Sequence, residues 1–266
     1  MYLKYWNLSE KPFENTPDPK FLYGSSQHEE GIARLLYGIR ERKGAVMLTG
    51  IFGCGKTLMA HAVFGELGKG LYQKVFVVNP MMEGLDLLRY ITHELSGNEA
   101  PSSKADVLII MKDLLMNNAR DGKDTVIVID EAHIINDPLV FEEIRLLLNM
   151  QLENRFLVTI LLLGQPELVP MVDNIKQLSQ RIAIRCRLNA LKAEETANYV
   201  DCRLNVAGGK KDIFDPQAVS LVHTHSGGIP RRINQIADMA LFIGFSQQKR
   251  TLDAEVIKEA VVTLKG

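Results

Sequence analysis

The sequence predicts an α/β fold, a parallel sheet layered between helices and followed by a small all-helical module. Three observations predict it. Apolar runs of strand length alternate with helical periodicities between residues 45 and 188, as a three-layer parallel sheet requires. The first of these runs, AVMLTG at 45–50, is apolar almost throughout, which suits a strand buried in a parallel sheet. From Leu191 onward strand patterns stop and only helical ones recur.

The opening residues divide into a Pro-rich extended segment, EKPFENTPDPKFLY, and a helix from about Ser26 to Arg40 with Ile32, Leu35, Leu36 and Ile39 on one face. Strand one is AVMLTG, and TLMAHAVFGEL after it has helical periodicity through Leu58, Ala62 and Phe64. Strand two is KVFVVN, 74–79. Leu85, Leu88, Ile91 and Leu95 make one helical face and Val107, Ile110, Met111, Leu114 and Leu115 another, separated by the breaker SGNEAPSS. Strand three is TVIVID, 125–130; a helix around PLVFEEIRLLLNM comes next; strand four is FLVTILLLG, 156–164. IAIRCRL at 182–188 alternates apolar and basic residues, the look of a half-buried strand near an edge. Helical patterns at about 192–206, 215–225, 230–245 and 253–264 then give the small module. The expected division is 1–190 for the sheet-containing core with its N-terminal segment and 191–266 for the helical module.

At 266 residues, 46% hydrophobic and 24% charged, the chain has ordinary globular composition and room for a large core. Cys54, Cys186 and Cys202 are scattered and odd in number, which indicates neither a disulfide framework nor a zinc site and suits a reducing cytosol. Neither a signal peptide nor a run of eighteen apolar residues is present, so a cytoplasmic location is expected. A net charge of −1 is not that of a strongly basic nucleic-acid binder, though it leaves room for local basic patches.

Between strand one and its helix lies GIFGCGKT, with Gly50, Ile51, Phe52, Gly53, Cys54, Gly55, Lys56 and Thr57 followed by Leu58. In the Gly-x-x-x-x-Gly-Lys-Thr pattern, backbone N–H groups curl around phosphate oxygens, the lysine reaches the outer phosphates and the hydroxyl ligates Mg²⁺. A strand feeding a helix N-terminus is the context it requires, because the unpaired amides and the helix dipole favour an anion there. Cys54 reads as a small apolar filler. Phe13, Phe21 and Tyr23 of the extended segment must pack on the later parts of the chain, either clasping the core or meeting a nucleotide base.

Strand three ends in two carboxylates, Asp130 and Glu131, at the strand end where parallel sheets hold ligands. Asp130 can complete a Mg²⁺ shell opposite Thr57, and Glu131 can orient a water against a γ-phosphate. His133 completes an Asp-Glu-Ala-His string shared with some helicases; with no other helicase motif beside it, it reads as structural. Gln165 follows strand four and can sense that phosphate, or else cap the next helix. Arg181 stands just before strand five, and Arg231 follows a Gly-x-Pro turn at a helix start. Arginine suits phosphate because its planar fork stays charged and binds two oxygens; the alternative is a solvated surface role. His223 and His225, two apart in a helical stretch, point to different faces and do not suggest a metal site.

With these residues in place, the sequence resembles the AAA+ ATPases: GIFGCGKT, VIVIDEAH, LLLGQPEL, LSQRIAIR and GGIPRRIN are similar to their P-loop, acidic strand, sensor one, arginine finger and sensor two. YWNLSEKPFENTPDPKFLYGSSQHEEGIARLLYGI resembles the N-terminal signature of the ExeA/GspA group, ATPases associated with type II secretion and pilus systems. The resemblance covers nearly the whole chain. It implies a sheet in order 5-1-4-3-2, a helical lid, ATP and Mg²⁺ at subunit boundaries, and assembly into rings or filaments. Members in secretion often continue into a transmembrane segment and a peptidoglycan-binding domain, so this chain is expected to be a cytoplasmic protein or the cytoplasmic part of a longer, membrane-anchored one. The expected function is an ATP-hydrolysing switch that assembles with itself and acts on an envelope-biogenesis partner. A regulator of transposition that binds DNA when ATP is bound is the alternative.

Overall fold

The computed structural model describes residues 2–152 and 155–265. In chain order the elements are α1 (Tyr2–Tyr5), α2 (Ser26–Arg40), β1 (Ala45–Gly50), α3 (Lys56–Glu66), β2 (Tyr72–Val77), α4 (Gly84–Ser96), α5 (Lys104–Arg120) and β3 (Asp124–Ile129). Next come α6 (Pro138–Leu147), β4 (Gln151–Leu152), β5 (Arg155–Phe156), β6 (Val158–Gly164), α7 (Leu168–Asp173), α8 (Lys176–Ser179) and β7 (Ile182–Leu188). The chain closes with α9 (Ala193–Val206), α10 (Pro216–Ser226), α11 (Pro230–Ser246) and α12 (Ala254–Lys265). These elements form two compact units: a sheet unit of residues 29–50 and 60–188, and a helical unit of residues 2–28, 51–59 and 189–265.

In the sheet unit five strands are ordered β2-β3-β6-β1-β7, with every neighbouring pair parallel. Leaving aside the two-residue strands β4 and β5, which pair with each other, this is the expected order 5-1-4-3-2 read from the opposite edge. The central strands β1 and β6 are buried along their whole length, which demands helices on both faces. Alternate residues serve the two faces. Met47, Ile127, Ile129, Ile160 and Leu162 share a core with Leu88 and Ile91 of α4, Met111 of α5, and Phe141 and Ile144 of α6. On the other face α2 approaches β1 so closely that a Cβ at Gly38 would lie 2.4 Å from Cγ2 of Val46. Leu35 and Ile39 of α2 are fully buried; each such side chain stabilises the fold by about 1.5–3 kcal/mol.

β7 forms one edge of the sheet and alternates as expected: Ile182, Cys186 and Leu188 are buried, while Ala183, Arg185 and Arg187 are exposed. Boundaries elsewhere shift. β2 starts two residues earlier than the apolar run suggests, because its ladder with β3 runs from Tyr72 opposite Asp124 to Val77 opposite Ile129. β6 starts at Val158 because Arg155 and Phe156 are taken by the antiparallel pairing with Leu152 and Gln151. The short helices α7 and α8 have no counterpart in the periodicities.

The helical unit packs α9 to α12 around Leu204, Ile233, Ala237, Leu241, Leu252 and Ile257. Asp215 caps α10 by accepting from the Ala218 N–H at 2.6 Å, and Gly227, at φ 61°, ends it in the left-handed conformation that glycine tolerates. Tyr2, Trp6, Leu8, Phe13 and Phe21 from the N-terminal residues are buried in this same core. The indole N–H of Trp6 donates to the Leu241 carbonyl at 3.0 Å. The extended segment is therefore a clasp through Phe13 and Phe21, whereas Tyr23 is only partly buried.

A buried guanidinium fastens that clasp. Arg203, 2% exposed on α9, donates to the carbonyls of Pro12 and Glu14 and lies 4.5 Å over the ring of Phe21. Tyr199 donates to Asn234, whose amide donates in turn to Asn15 of the segment. Arg203→Ala removes the fork and leaves two acceptors short of a partner, so it should lower the free energy of unfolding by about 2–4 kcal/mol. Urea unfolding of parent and variant measures this, and a difference near zero would show that the segment holds without Arg203.

Candidate functional site

The glycine-rich loop belongs to the helical unit, and two positive backbone angles shape it: Gly53 at φ 83° and Gly55 at φ 101°. Side chains are disfavoured at such angles. At Gly53 there is also no room, since a Cβ would lie 2.7 Å from the Cβ of Arg231. The Arg231 N–H donates to the Gly53 carbonyl at 3.2 Å, and its guanidinium lies 4.4 Å from the centre of the Phe52 ring. Gly228 makes this approach feasible: it sits at φ 72°, and a Cβ there would meet the Leu191 carbonyl oxygen at 2.0 Å. Pro230 then opens α11 at a position where its missing N–H costs nothing. The Gly-x-Pro turn thus delivers Arg231 onto the loop.

Helix α3 starts at Lys56, which is 4% exposed and whose Nζ lies 3.3 Å from the Ile51 carbonyl. The Cys54 side chain is fully buried. Its carbonyl lies 3.3 Å from Nε2 of His28, and Nδ1 of that ring lies 2.7 Å from the Ser25 hydroxyl. A carbonyl only accepts, so the His28 proton sits on Nε2 and Nδ1 accepts from Ser25. Burial holds the His28 pKa below its ordinary value, favouring this neutral ring. Sequence reasoning missed His28, because its partner is a main-chain carbonyl 26 positions away. Beside the loop lies a cleft lined by Leu22, Tyr23, His28, Cys54, Leu58 and Tyr199, which pairs a ring-lined wall with the glycine-rich loop.

In the sheet unit, the carboxyl ends of β3, β6 and β1 lie side by side. Asp130 and Glu131 follow the first, Gln165 the second, and the glycine-rich loop continues the chain from the third. Asp130 is 3% exposed and its Oδ1 accepts from the Glu131 N–H at 2.8 Å. Glu131 has φ 51° and ψ 33°, the left-handed region, at a cost of about 1–2 kcal/mol for a residue with a side chain. Gln165 is half-buried, its amide nitrogen 2.9 Å from Nε2 of His133.

Arg181 is elsewhere. β7 runs parallel to β1, with Ala45 opposite Ile182 and Gly50 opposite Leu188. Arg181 thus precedes the amino end of β7, about 20 Å from the carboxyl ends of the strands at ~3.3 Å per residue. It donates to the Leu148 carbonyl at 3.2 Å and to Oδ1 of Asn149 at 2.6 Å.

These donors fit a nucleoside triphosphate with a hard divalent cation. The positive φ angles and the space closed at Gly53 make a backbone cradle and the buried lysine supplies positive charge; the Thr57 hydroxyl in the helical unit and the Asp130 carboxylate in the sheet unit are each an oxygen donor of the kind Mg²⁺ prefers. Among the described residues no cluster of His, Cys, Asp and Glu suggests another metal site.

A parallel sheet in this order, with a glycine-rich loop leading from its first strand into a helix and an acid pair two strands away, defines a P-loop nucleotide-binding protein of the AAA+ class. Residues 39–172 match the family model described as AAA domain, and the chain belongs to that family, within its ExeA/GspA group. It is 39% identical over 254 residues to the general secretion pathway protein A of Aeromonas hydrophila, a match covering 93% of this chain and 45% of that protein. The chain therefore spans about half the length of the curated relative it matches. Among solved structures, the Aeropyrum pernix ORC2 protein in its ADPNP-ADP complexes superposes with a TM-score of 0.72 at 18% identity, over 96% of this chain and 71% of that one. The Drosophila ORC bound to DNA gives 0.76 at 16% identity, over 100% and 66%. The Thermotoga maritima RuvB Holliday junction branch migration motor gives 0.63 at 16% identity, over 91% and 70%. At these identities the likeness is one of fold.

Proposed function

We propose that the chain binds and hydrolyses Mg-ATP at boundaries between copies of itself, with residues 1–190 as the nucleotide-binding core and 191–266 as the lid. The observation that carries this reading is the sheet order: the chain leaves the carboxyl ends of three adjacent strands, β1, β6 and β3, as the glycine-rich loop, Gln165 and the acid pair, while Arg181 precedes the amino end of β7. Loop amides from Ile51 to Leu58 and the Lys56 ammonium take the phosphates, while Arg231, already on the loop, binds the outer ones. Thr57 and Asp130 would hold Mg²⁺, which when bound neutralises charge on the β- and γ-phosphates. Glu131 accepts the proton of a water whose oxygen forms the new bond to the γ-phosphorus as the bond to the β-phosphate oxygen breaks, releasing ADP. Gln165 donates to a γ-phosphate oxygen.

The name of the Aeromonas relative supports the further proposal that turnover drives assembly or a change of shape in a secretion or other envelope system, on its cytoplasmic side. Among the described residues no helix is long and apolar enough to cross a membrane. At 16–18% identity the likeness to ORC proteins extends only to the fold and lends no support to the DNA-binding alternative.

Lys56→Ala tests the cradle. Without the ammonium the loop amides lose the buried cation at the start of α3, and ATP affinity should fall at least about a hundredfold, the equivalent of one or two charge-assisted hydrogen bonds. Titration with a fluorescent ATP analogue reads it, and unchanged affinity would remove Lys56 from the site.

A further inference from the structure

We infer that His133 is a positioning residue that couples the amide of Gln165 to the carboxylate of Glu131, an inference that rests on Glu131 being the water-activating base. Three side chains stand in line. The Gln165 amide nitrogen lies 2.9 Å from Nε2 of His133, and Nδ1 of the same ring lies 3.4 Å from Oε2 of Glu131. The imidazole is 12% exposed, so bulk water does little to serve its nitrogens.

The chemistry of the ring fixes the direction of the coupling. An amide nitrogen only donates, so Nε2 must accept, and a neutral imidazole that accepts at Nε2 carries its proton on Nδ1. That proton faces the Glu131 carboxylate. Rotating the amide would place its oxygen against Nε2, draw the ring proton there, and leave a lone pair of Nδ1 facing a negative charge. The orientation of the Gln165 amide and the hydrogen bond available to Glu131 are therefore linked through one ring. The amide nitrogen has a second hydrogen, which is the one it can give to a γ-phosphate. Phosphate, amide, imidazole and carboxylate then form a single chain of contacts.

The last contact in that chain is loose. Nδ1 is buried without a hydrogen bond of acceptable geometry, although Oε2 is within ion-pair distance. A buried donor left unmade costs about 1–3 kcal/mol, which favours closing the gap by a few tenths of an ångström. Hydrogen bonds of this kind tighten when substrate arrives.

The backbone is built for the arrangement. Glu131 holds its left-handed conformation at the turn into the 3₁₀ segment that carries His133. Gly164, the residue before Gln165, lets that segment approach: a Cβ there would lie 3.3 Å from the His133 amide nitrogen and 2.9 Å from Cδ2 of Leu168. The Asp-Glu-Ala-His string is thus more than a structural echo in this chain. Where the sequence alone reads His133 as structural, the inference gives it a role beside the base, because the fold brings Gln165 to its far nitrogen.

The test measures ATP turnover and nucleotide affinity for His133→Ala, His133→Asn, Gln165→Ala and the double variant His133→Ala/Gln165→Ala, with Glu131→Gln alongside. A mispositioned base predicts that kcat falls about ten- to a hundredfold in His133→Ala while ATP affinity and melting temperature stay near the parent's. Asn, whose amide nitrogen can stand in for Nδ1, should restore part of the rate. Adding Gln165→Ala should cost little beyond the single changes, because members of one linked unit are not additive. A parent-like kcat in His133→Ala, a loss matched in affinity, or full additivity would overturn the coupling. Should His133→Ala fold poorly, His133→Asn decides alone: a rate between that of Glu131→Gln and the parent, at unchanged affinity, supports the coupling, and the parent rate overturns it. Full activity in Glu131→Gln would instead overturn the reading of Glu131 itself, which separates the two failures.

Discussion

Glu131→Gln should bind ATP as tightly as the parent and turn it over about 10²- to 10⁴-fold more slowly, the span associated with loss of a general base. The amide keeps the size and the left-handed backbone of the side chain it replaces, so the turn after β3 has no reason to change. What disappears is the capacity to accept a proton. Asp130 is not a substitute, since its Oδ1 is engaged by the Glu131 N–H and it is the candidate ligand for Mg²⁺. The variant should therefore accumulate in the ATP-bound form, visible as nucleotide retained on the protein after gel filtration and identified by chromatography as ATP. Hydrolysis at the parent rate would show that Glu131 is not the base.

The second large effect concerns Arg181, which should act on ATP held by a neighbouring copy. Its place before the amino end of β7 puts it about 20 Å from the strand ends that lead into the glycine-rich loop and the acid pair, too far for a side chain of ~6–7 Å to reach its own γ-phosphate. The contacts with Leu148 and Asn149 brace it at that end. An arginine of this kind stabilises charge as the γ-phosphoryl leaves, and Arg181→Ala should lower kcat about a thousandfold or more. Arg181→Ala and Lys56→Ala, each inactive alone, should recover part of the activity when mixed, because some boundaries then join an intact loop to an intact arginine. Specific activity should also rise with protein concentration. If two variants shown to co-assemble give no rescue, and specific activity is independent of concentration, hydrolysis belongs to the single chain.

The fold was legible in the sequence where burial is one-dimensional. Val46 to Leu48 and Ile160 to Leu163 read as strands because both of their faces are covered, and IAIRCRL read as an edge because one of its faces is not. Sheet order came from motif resemblance; no local periodicity encodes that β1 inserts beside β6. The ends of β2 and β6 were misplaced by two residues, since a ladder stops where its partner stops. At the candidate site, the loop, the acid pair, Gln165 and Arg231 were visible because each sits at a strand or helix terminus with a fixed spacing. The partner of His28 and the Gln165 partner of His133 were not: they are met only when segments 26 and 32 positions apart are folded together. The same holds for Arg203, whose acceptors lie 191 and 189 positions away and carry no side-chain signal.

The burial of Tyr2, Trp6 and Leu8 among α9 to α12 bears on how the chain is made. These residues leave the ribosome well before the helices they pack against, and the Leu241 carbonyl that Trp6 engages is 235 positions behind it. At about 5–20 residues per second, synthesis keeps the early aromatics waiting for roughly 12–50 seconds. Strands β1 to β7 are complete by Leu188 and can pair during that interval, whereas the helical core must close a very long loop before any contact rewards it. Refolding in vitro should show the corresponding order, sheet first and helical core last. Between the two events, Trp6, the sole tryptophan of the chain, is a fluorescent reporter that stays solvent-exposed until the final step.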